Sequence, residues 1–164
     1  MESKLVEIKL AIAAFFTAIG AFLGWQGVMA LVWVAAMAID YITGTWAAMR
    51  NGEWSSAVAR QGLWHKGGMI VVVIISFLAD CAMAIICERL PVGINWTNIV
   101  LPLVLAWYIV TELGSILENA VKMGATVPNW LVKLMKIGLK AIDEVGEKIE
   151  EDAAGTIEEA ETEE

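Results

Sequence analysis

The segment Gly67–Cys87, with the sequence GGMIVVVIISFLADCAMAIIC, is the clearest indication of the fold class of this chain. It consists mainly of valine, isoleucine, alanine and other apolar residues, and Asp80 is its only carboxylate. A helix rises about 1.5 Å per residue, so roughly 20 apolar residues are needed to cross about 30 Å of hydrocarbon. Backbone polar groups in lipid must also be paired within the segment. The stretch therefore predicts a transmembrane helix.

The composition of the whole chain also indicates a membrane protein. Hydrophobic residues make up 59% of its 164 residues, and the mean hydropathy is +0.67. An ordinary soluble domain is about 45–50% apolar, and a small globule cannot bury so large an excess. We therefore predict an all-α integral membrane protein whose apolar surface is covered by the lipid bilayer.

The region from Leu10 to Met49 is too long for a single span. As one helix it would reach about 60 Å, which is twice the hydrocarbon thickness. Two glycines, Gln26 and an interfacial tryptophan at residues 24–27 predict that the chain folds back there. An alternative for the first helix is an interfacial position, because an acid and a base fall in its first turns. We predict about four transmembrane helices in a domain of residues 1–126, at about residues 5–23, 28–49, 67–87 and 99–121.

The basic residues predict the orientation. With four spans, nine of the ten bases before residue 141 lie on one side, and the side with the turns near Gly24 and Pro91–Gly93 holds only Arg89. The positive-inside rule then places the N- and C-termini in the cytoplasm. The bases predicted at the membrane surface are Arg50, Arg60, Lys66, Lys133, Lys136 and Lys140.

The C-terminal part of the chain has a different character. Residues 127–150 place apolar side chains on one helical stripe and lysines on another, which predicts a cytoplasmic amphipathic helix on the inner leaflet. Residues 141–164 carry eleven acids and one base, a net charge of −10, and residues 1–140 carry +2, which together give the −8 of the chain. Residues 151–164 are predicted to be an acidic, disordered tail.

Catalytic and nucleic-acid-binding motifs are missing from the sequence. There is no glycine-rich phosphate loop, no metal-ligand spacing and no nucleophile beside a base, and His65 is the only histidine. No basic surface with interleaved aromatic residues is present. The sequence therefore predicts neither an enzyme nor a cofactor, metal or nucleic-acid partner.

Polar residues at membrane depth are the remaining functional candidates. An ionisable group is costly in lipid, so each is expected to contact another helix or to line water. For Asp40, Glu118 and Asn119 the alternative is a position at a wet membrane boundary, whereas Asp80 lies in the middle of its predicted helix. The candidates for oligomer contacts are Asp40, Thr43 and Gly44 on the second helix, Asp80 on the third, and Glu112, Ser115 and Asn119 on the fourth.

Two blocks of sequence resemble the toxin-secretion and phage-lysis holin family. The first is Asp40-Tyr41-Ile42-Thr43-Gly44, followed by Ala47-Ala48, Ser55-Ser56, Gly62 and Lys66, with Asp80 in the next span. The second is similar to the pattern E-x-x-S-I-L-x-N followed by G-x-x-V-P-x-x-L, and extends from Glu112 to Leu131. The resemblance covers about residues 35–140. His65, where a second base is expected, and the acidic tail depart from the family pattern.

The resemblance implies a phage-encoded protein of the host bacterial cytoplasmic membrane. Such a protein oligomerises with itself into large holes, through which a peptidoglycan hydrolase or a toxin leaves the cell. An antiholin is a further implied partner. Two alternatives stay open at this point. The intramembrane carboxyls are also compatible with a small ion channel or transporter subunit, and an antiholin of the same family would have nearly the same sequence.

Overall fold

The structure is a computed structural model that describes residues 2–90 and 96–162. These residues form four α-helices and no strand, which confirms the predicted all-α class. The predicted turn at Pro91–Gly93 and the last two residues of the predicted tail lie outside the described residues. The helices are α1 (Glu2–Arg50), α2 (Ser56–Arg89), α3 (Val100–Lys122) and α4 (Asn129–Thr162).

A break at Gly24 divides α1 into two helical parts. The backbone angles of Gly24, φ 70° and ψ 176°, are far from helical, and glycine adopts this positive φ without steric cost. The interruption therefore falls at the first residue of the predicted turn. The helix resumes directly after Gly24, whereas we predicted that it would resume at residue 28.

Three helical segments are long and apolar enough to span a membrane: Gly24–Arg50, Ser56–Arg89 and Val100–Lys122. They correspond to three of the four predicted spans. The predicted first span, residues 5–23, is helical but is not among the candidates within the described part of the chain, so the count of four is not confirmed. The charges in its first turns leave it an uncharged stretch shorter than the roughly 20 residues that hydrocarbon requires.

α2 begins at Ser56, well before the predicted start at residue 67. The Ser55 hydroxyl accepts a hydrogen bond from the Val58 N–H (3.2 Å) and so caps the helix. Residues 56–66 contain no proline, so the chain predicted as a loop continues as helix from this cap. α3 agrees with its predicted bounds to within one residue at each end.

The three candidate spans form an up-down-up bundle. At one end, Gln26 Nε2 donates a hydrogen bond to the Asn98 carbonyl (3.3 Å), and at the other end the Arg50 guanidinium donates to the Met123 carbonyl. α1 and α3 are therefore parallel. α2 runs in the opposite direction, since its residue 66 contacts the middle of α3 and its residue 80 contacts the start of α3.

The apolar core lies where the three spans meet. It contains Trp33 and Met37 of α1, Met69 of α2, and Leu101 and Leu105 of α3. The Trp33 ring also stacks on Tyr108 of α3, with ring centroids 5.9 Å apart. Much of α2 faces away from this core, and its exposed apolar side chains form a surface suited to lipid: Val71, Ile74, Ile75, Phe77 and Leu78.

α4 packs antiparallel along α3. A Cβ atom built on Gly138 would lie 3.7 Å from Val110, and one built on Gly146 would lie 3.5 Å from Leu103, so the two helices approach closely at two levels. α3 covers only part of the apolar surface of α4, because four large apolar side chains of α4 are exposed: Trp130, Leu134, Ile137 and Val145. The position of this helix on the inner leaflet stays a prediction. α4 also continues to Thr162 through residues predicted as a disordered tail, because alanine and glutamate there favour helix and proline is absent.

Candidate functional site: polar clusters between the spans

The side chains of Asp40, Lys66 and Glu112 form an ionic cluster between α1, α2 and α3. Lys66 Nζ lies 3.0 Å from Asp40 Oδ2, and 2.8 and 2.7 Å from the two carboxylate oxygens of Glu112. The three side chains are only 18%, 13% and 4% exposed, respectively. We call this group the central ionic cluster. One ammonium group thus joins carboxylates from two other helices.

The central ionic cluster lies well inside the bundle, beside the middle of α3. Each member is ten residues from the end of its helix next to the loops at residues 51–55 and 123–128, counting to Arg50 from Asp40, to Ser56 from Lys66 and to Lys122 from Glu112. Ten residues of helix rise about 15 Å, which is half of the roughly 30 Å of hydrocarbon. An unpaired charge at this position would cost several kcal/mol. The ion pairs of Lys66 with the two carboxylates reduce this cost.

Two polar neighbours extend the cluster along α1 and α3. Asn119 Nδ2 donates to Asp40 Oδ1 (2.9 Å) and also to Thr43 Oγ1 (3.3 Å). Thr43 donates its own hydroxyl to the Ile39 carbonyl (2.9 Å), one turn earlier in α1. Asp40 therefore has a charged partner on one oxygen and an amide donor on the other, as a carboxylate away from water requires.

Gly44 allows α1 and α3 to approach each other at this level. A Cβ atom added to Gly44 would lie 3.3 Å from Asn119 Nδ2, closer than most real Cβ contacts. The absence of a side chain at residue 44 therefore keeps the Asn119 amide within reach of Asp40. Residues 40, 43 and 44 were predicted to share a helical face, and in the structure that face points toward α3.

We expect Gly44→Leu to destabilise the bundle by roughly 1–3 kcal/mol, because the larger side chain forces α1 and α3 apart. The matched control is Gly68→Leu, since a Cβ atom at Gly68 meets nothing within 4 Å and both changes replace a helical glycine. The unfolding midpoint of each variant in a titration of micelles with sodium dodecyl sulfate measures the effect. Equal midpoints for the two variants would show that the close approach at Gly44 is unimportant.

Asp80 forms a second polar cluster, at the start of α3. Its carboxylate is buried and accepts hydrogen bonds from the N–H groups of Val100 (3.1 Å) and Leu101 (2.8 Å) and from Trp96 Nε1 (3.1 Å). The N-cap residue of α3, Ile99, supplies no side-chain cap of its own. A carboxylate from α2 therefore caps α3, where the N-terminal N–H groups and the helix dipole favour negative charge.

The position of Asp80 differs from the one that we predicted. We placed it in the middle of its helix, but the structure puts it level with the first turn of α3. α2 extends further than α3 at this end, to Arg89, so Asp80, nine residues before the end of α2, lies beside the beginning of α3.

The predicted polar stripe on α3 is divided between two surroundings. Glu112 faces Lys66 and Asn119 faces Asp40, so both are in contact with partners inside the bundle. Ser115 instead lines a cavity of about 310 Å³ between α3 and α4, together with the exposed Glu118. The stripe is therefore not one continuous face open to water or to another subunit.

The predicted surface bases lie in two kinds of environment. Lys66 was predicted at the membrane surface, and this is wrong, because its ammonium group is buried in the central ionic cluster. The error arose because α2 begins at Ser56, about three turns before its apolar run at Gly67. The other bases are exposed, and they are Arg50, Arg60, Lys133, Lys136 and Lys140.

Sequence reasoning missed the partners of the buried acids. Lys66 and Trp96 were not recognised as partners, although the sequence carried one signal for the lysine. It lies at the edge of an apolar run, in a chain that has carboxylates in two other spans and few bases to pair with them. The chain gave no such signal for the indole of Trp96. Within residues 2–90 and 96–162, no group of three or more His, Cys, Asp or Glu side chains could hold a metal ion.

Comparison with known proteins agrees with the two sequence blocks and with the membrane-spanning bundle. The profile of the bacteriophage holin family matches residues 17–139, which include all three candidate spans beyond Gly24 and the beginning of α4. The chain belongs to the bacteriophage holin family. The holin family forms membrane pores and is not a family of enzymes, so this chain is a holin-like membrane protein.

Relatives of this holin-family chain occur in several bacteria. It is 31% identical over 130 residues to an uncharacterized protein of Halalkalibacterium halodurans, a match that covers 79% of this chain and 92% of the relative. It is 30% identical over 132 residues to an uncharacterized protein of Listeria innocua, covering 80% and 86%. An uncharacterized 14.9 kDa protein in the nagH 3′ region of Clostridium perfringens is 26% identical over 136 residues, covering 83% and 96%. No solved structure matches the chain.

Proposed function

We propose that copies of this protein assemble in the bacterial cytoplasmic membrane into holes large enough for a folded peptidoglycan hydrolase to leave the cell. The observation that carries the proposal is the match to the holin family over residues 17–139. The bundle supports the proposal, since it consists of three apolar candidate spans and the exposed apolar side chains of α2 form a surface suited to lipid. An antiholin that delays assembly is a natural partner of such a protein.

The central ionic cluster gives each subunit a stable form before assembly. Lys66 pairs with both Asp40 and Glu112 inside the bundle, and the Asp80 carboxylate accepts its hydrogen bonds at the start of α3. A subunit with these contacts can lie in lipid without presenting those charges to hydrocarbon. Many copies can therefore accumulate as folded subunits before a hole forms.

The proposal is tested by expressing the protein in a bacterium with a cytoplasmic hydrolase that has no signal peptide. Together they should produce a sudden loss of optical density after a lag, and the hydrolase alone should produce none. The protein without the hydrolase should stop growth and leak cytosolic protein while the cell wall holds. If ions crossed the membrane but no enzyme was released, a channel or transporter subunit would replace the proposal. If the protein only delayed lysis by a co-expressed holin, an antiholin would replace it.

We expect the loop at residues 51–55 to be cytoplasmic, since Arg50, Arg60 and Lys122 lie near that end of the bundle. Single cysteines at Ser56 and Asn98, in a background with Cys81→Ala and Cys87→Ala, mark the two ends. In intact spheroplasts an impermeant maleimide should label Asn98→Cys and not Ser56→Cys.

The same labelling decides whether residues 2–23 form a fourth span. A cysteine at Val6 should be protected if that helix crosses the bilayer and returns the N-terminus to the cytoplasm. Disruption of the cells should make both protected sites reactive, which is the control for reagent access. Labelling of Ser56→Cys before any hole opens would reverse the proposed orientation.

A further inference from the structure

α4 has two sides of different character. The half-buried residues that face α3 recur at helical spacing and are Leu131, Met135, Gly138, Ile142 and Gly146. The rest of the α4 surface is exposed and mixed, with the charged residues Lys133, Lys136, Lys140, Glu144 and Glu147 beside the apolar residues Trp130, Leu134, Ile137 and Val145. Lys136 and Glu147 lie at the borders of this surface, where they line cavities between α3 and α4. Lys140 and Glu144 illustrate its polarity, since their side chains are 79% and 57% exposed and their charged groups lie 3.4 Å apart. α4 is therefore backed by protein on one side, and the charged groups of its exposed surface require water.

The contacts place these charged groups at membrane depth. Gly138 lies against Val110 and Gly146 against Leu103, so α4 follows α3 toward its N-terminal end. Trp107 Nε1 donates to Asp143 Oδ1 (3.1 Å) between these two levels. Since α3 is one of the candidate spans, the segment of α4 from residue 138 to 146 lies beside the hydrocarbon-crossing part of the subunit.

Hydrocarbon cannot be what surrounds α4 in this position. Each Lys or acidic side chain at the centre of a spanning helix costs about 2.5–3.5 kcal/mol on the insertion scale, and several would face lipid together. The central ionic cluster cannot relieve this cost, because its groups are already paired with one another. Packing of α4 on α3 is therefore compatible with a membrane only where water meets the charged groups.

We propose that α4, packed antiparallel on α3, lines the aqueous lumen of the hole. The inference rests on the proposed function and names the surface that faces the water. Before assembly, the amphipathic helix lies on the cytoplasmic leaflet, with its lysines at the headgroups. In the hole, Lys133, Lys136 and Lys140 line the half of the lumen nearer the cytoplasm, and Glu144 and Glu147 line the other half.

A disulfide between Val110→Cys and Gly138→Cys tests the packing. The protein, with Cys81→Ala and Cys87→Ala, is oxidised in detergent and reconstituted into vesicles that hold a folded enzyme. The cross-linked protein should release the enzyme to within twofold of the same protein after reduction. Val110→Cys with Gly155→Cys is the control pair and should not cross-link, since a Cβ atom at Gly155 meets nothing within 4 Å. Each single cysteine variant controls for cross-links between subunits.

Labelling in the same vesicles tests exposure to water without the disulfide. An impermeant maleimide should react with Lys140→Cys at least ten times faster than with Ile75→Cys on the apolar surface of α2, where the native Ile75 is 58% exposed. Three results would overturn the inference while leaving the proposed hole intact. Val110→Cys and Gly138→Cys could fail to cross-link, the oxidised protein alone could lose enzyme release, or Lys140→Cys and Ile75→Cys could be labelled at equal rates. Absence of release by the wild-type protein would overturn the proposed function, and this inference with it.

Discussion

Lys66→Met is expected to remove most of the folded protein from the membrane. The change leaves the carboxylates of Asp40 and Glu112 buried close to each other without the ammonium group that lies 3.0 and 2.7 Å from them. Removing one partner of a buried ionic group costs about 3–5 kcal/mol, a large share of the 5–15 kcal/mol that stabilises a typical protein. The amount of folded protein in membranes and the unfolding midpoint in sodium dodecyl sulfate measure the loss.

A control and a rescue separate charge pairing from a general effect of mutation. Arg60→Met removes a base from an exposed position of the same helix and should change the midpoint little. Combining Lys66→Met with Asp40→Leu and Glu112→Met should recover most of the lost stability, because apolar groups of similar size can replace a buried ionic cluster. A Lys66→Met protein as stable as wild type would show that the cluster does not hold the three helices together.

Asp80→Lys is the second change with a large expected effect. It places an ammonium group where the Val100 and Leu101 N–H groups and the Trp96 indole all donate, at the positive end of the α3 dipole. The lysine would be buried without an acceptor, at a cost of several kcal/mol. We expect α3 to lose its position against α2 and the protein to form no holes, measured as loss of enzyme release at equal expression.

Asp80→Asn is the matched control, since it keeps the shape and one acceptor oxygen. It should insert normally, because one or two of the three hydrogen bonds can be retained. The onset of release should shift in time while its final extent is kept. Wild-type behaviour of Asp80→Lys would mean that Asp80 faces water or headgroups, contrary to the 4% exposure of the aspartate.

Local composition was enough to predict three helices that are long and apolar enough to span a membrane, although not the count of four. The Gly24 break and the bounds of α3 follow from where apolar runs and helix-breaking residues fall along the chain. The start of α2 was missed because Arg60, His65 and Lys66 suggested a loop, although Ser55 provides the cap from which the helix begins. Where a helix extends beyond its apolar run, as α2 does at its N-terminal end, the hydropathy does not mark the residue at which the helix begins.

The partners of the polar residues could not be predicted in the same way. Asp40 and Asn119 are expected to avoid lipid, because a polar side chain in hydrocarbon costs free energy. Their contact, however, joins residues separated by 79 positions and depends on how α1 and α3 pack. Lys66 and Glu112 are 46 positions apart. The docking of α4 on α3 was missed for a related reason, because an amphipathic stripe fits a lipid surface and a helix equally well.

The size of what crosses the membrane is the most direct test of the proposed hole. Purified wild-type protein is reconstituted into vesicles that contain both a small dye and a folded enzyme, and the two are measured outside the vesicles as the protein-to-lipid ratio rises. We predict that dye and enzyme leave the same vesicles together once a threshold ratio is passed. Release of the dye while the enzyme stays inside at every ratio would contradict the account.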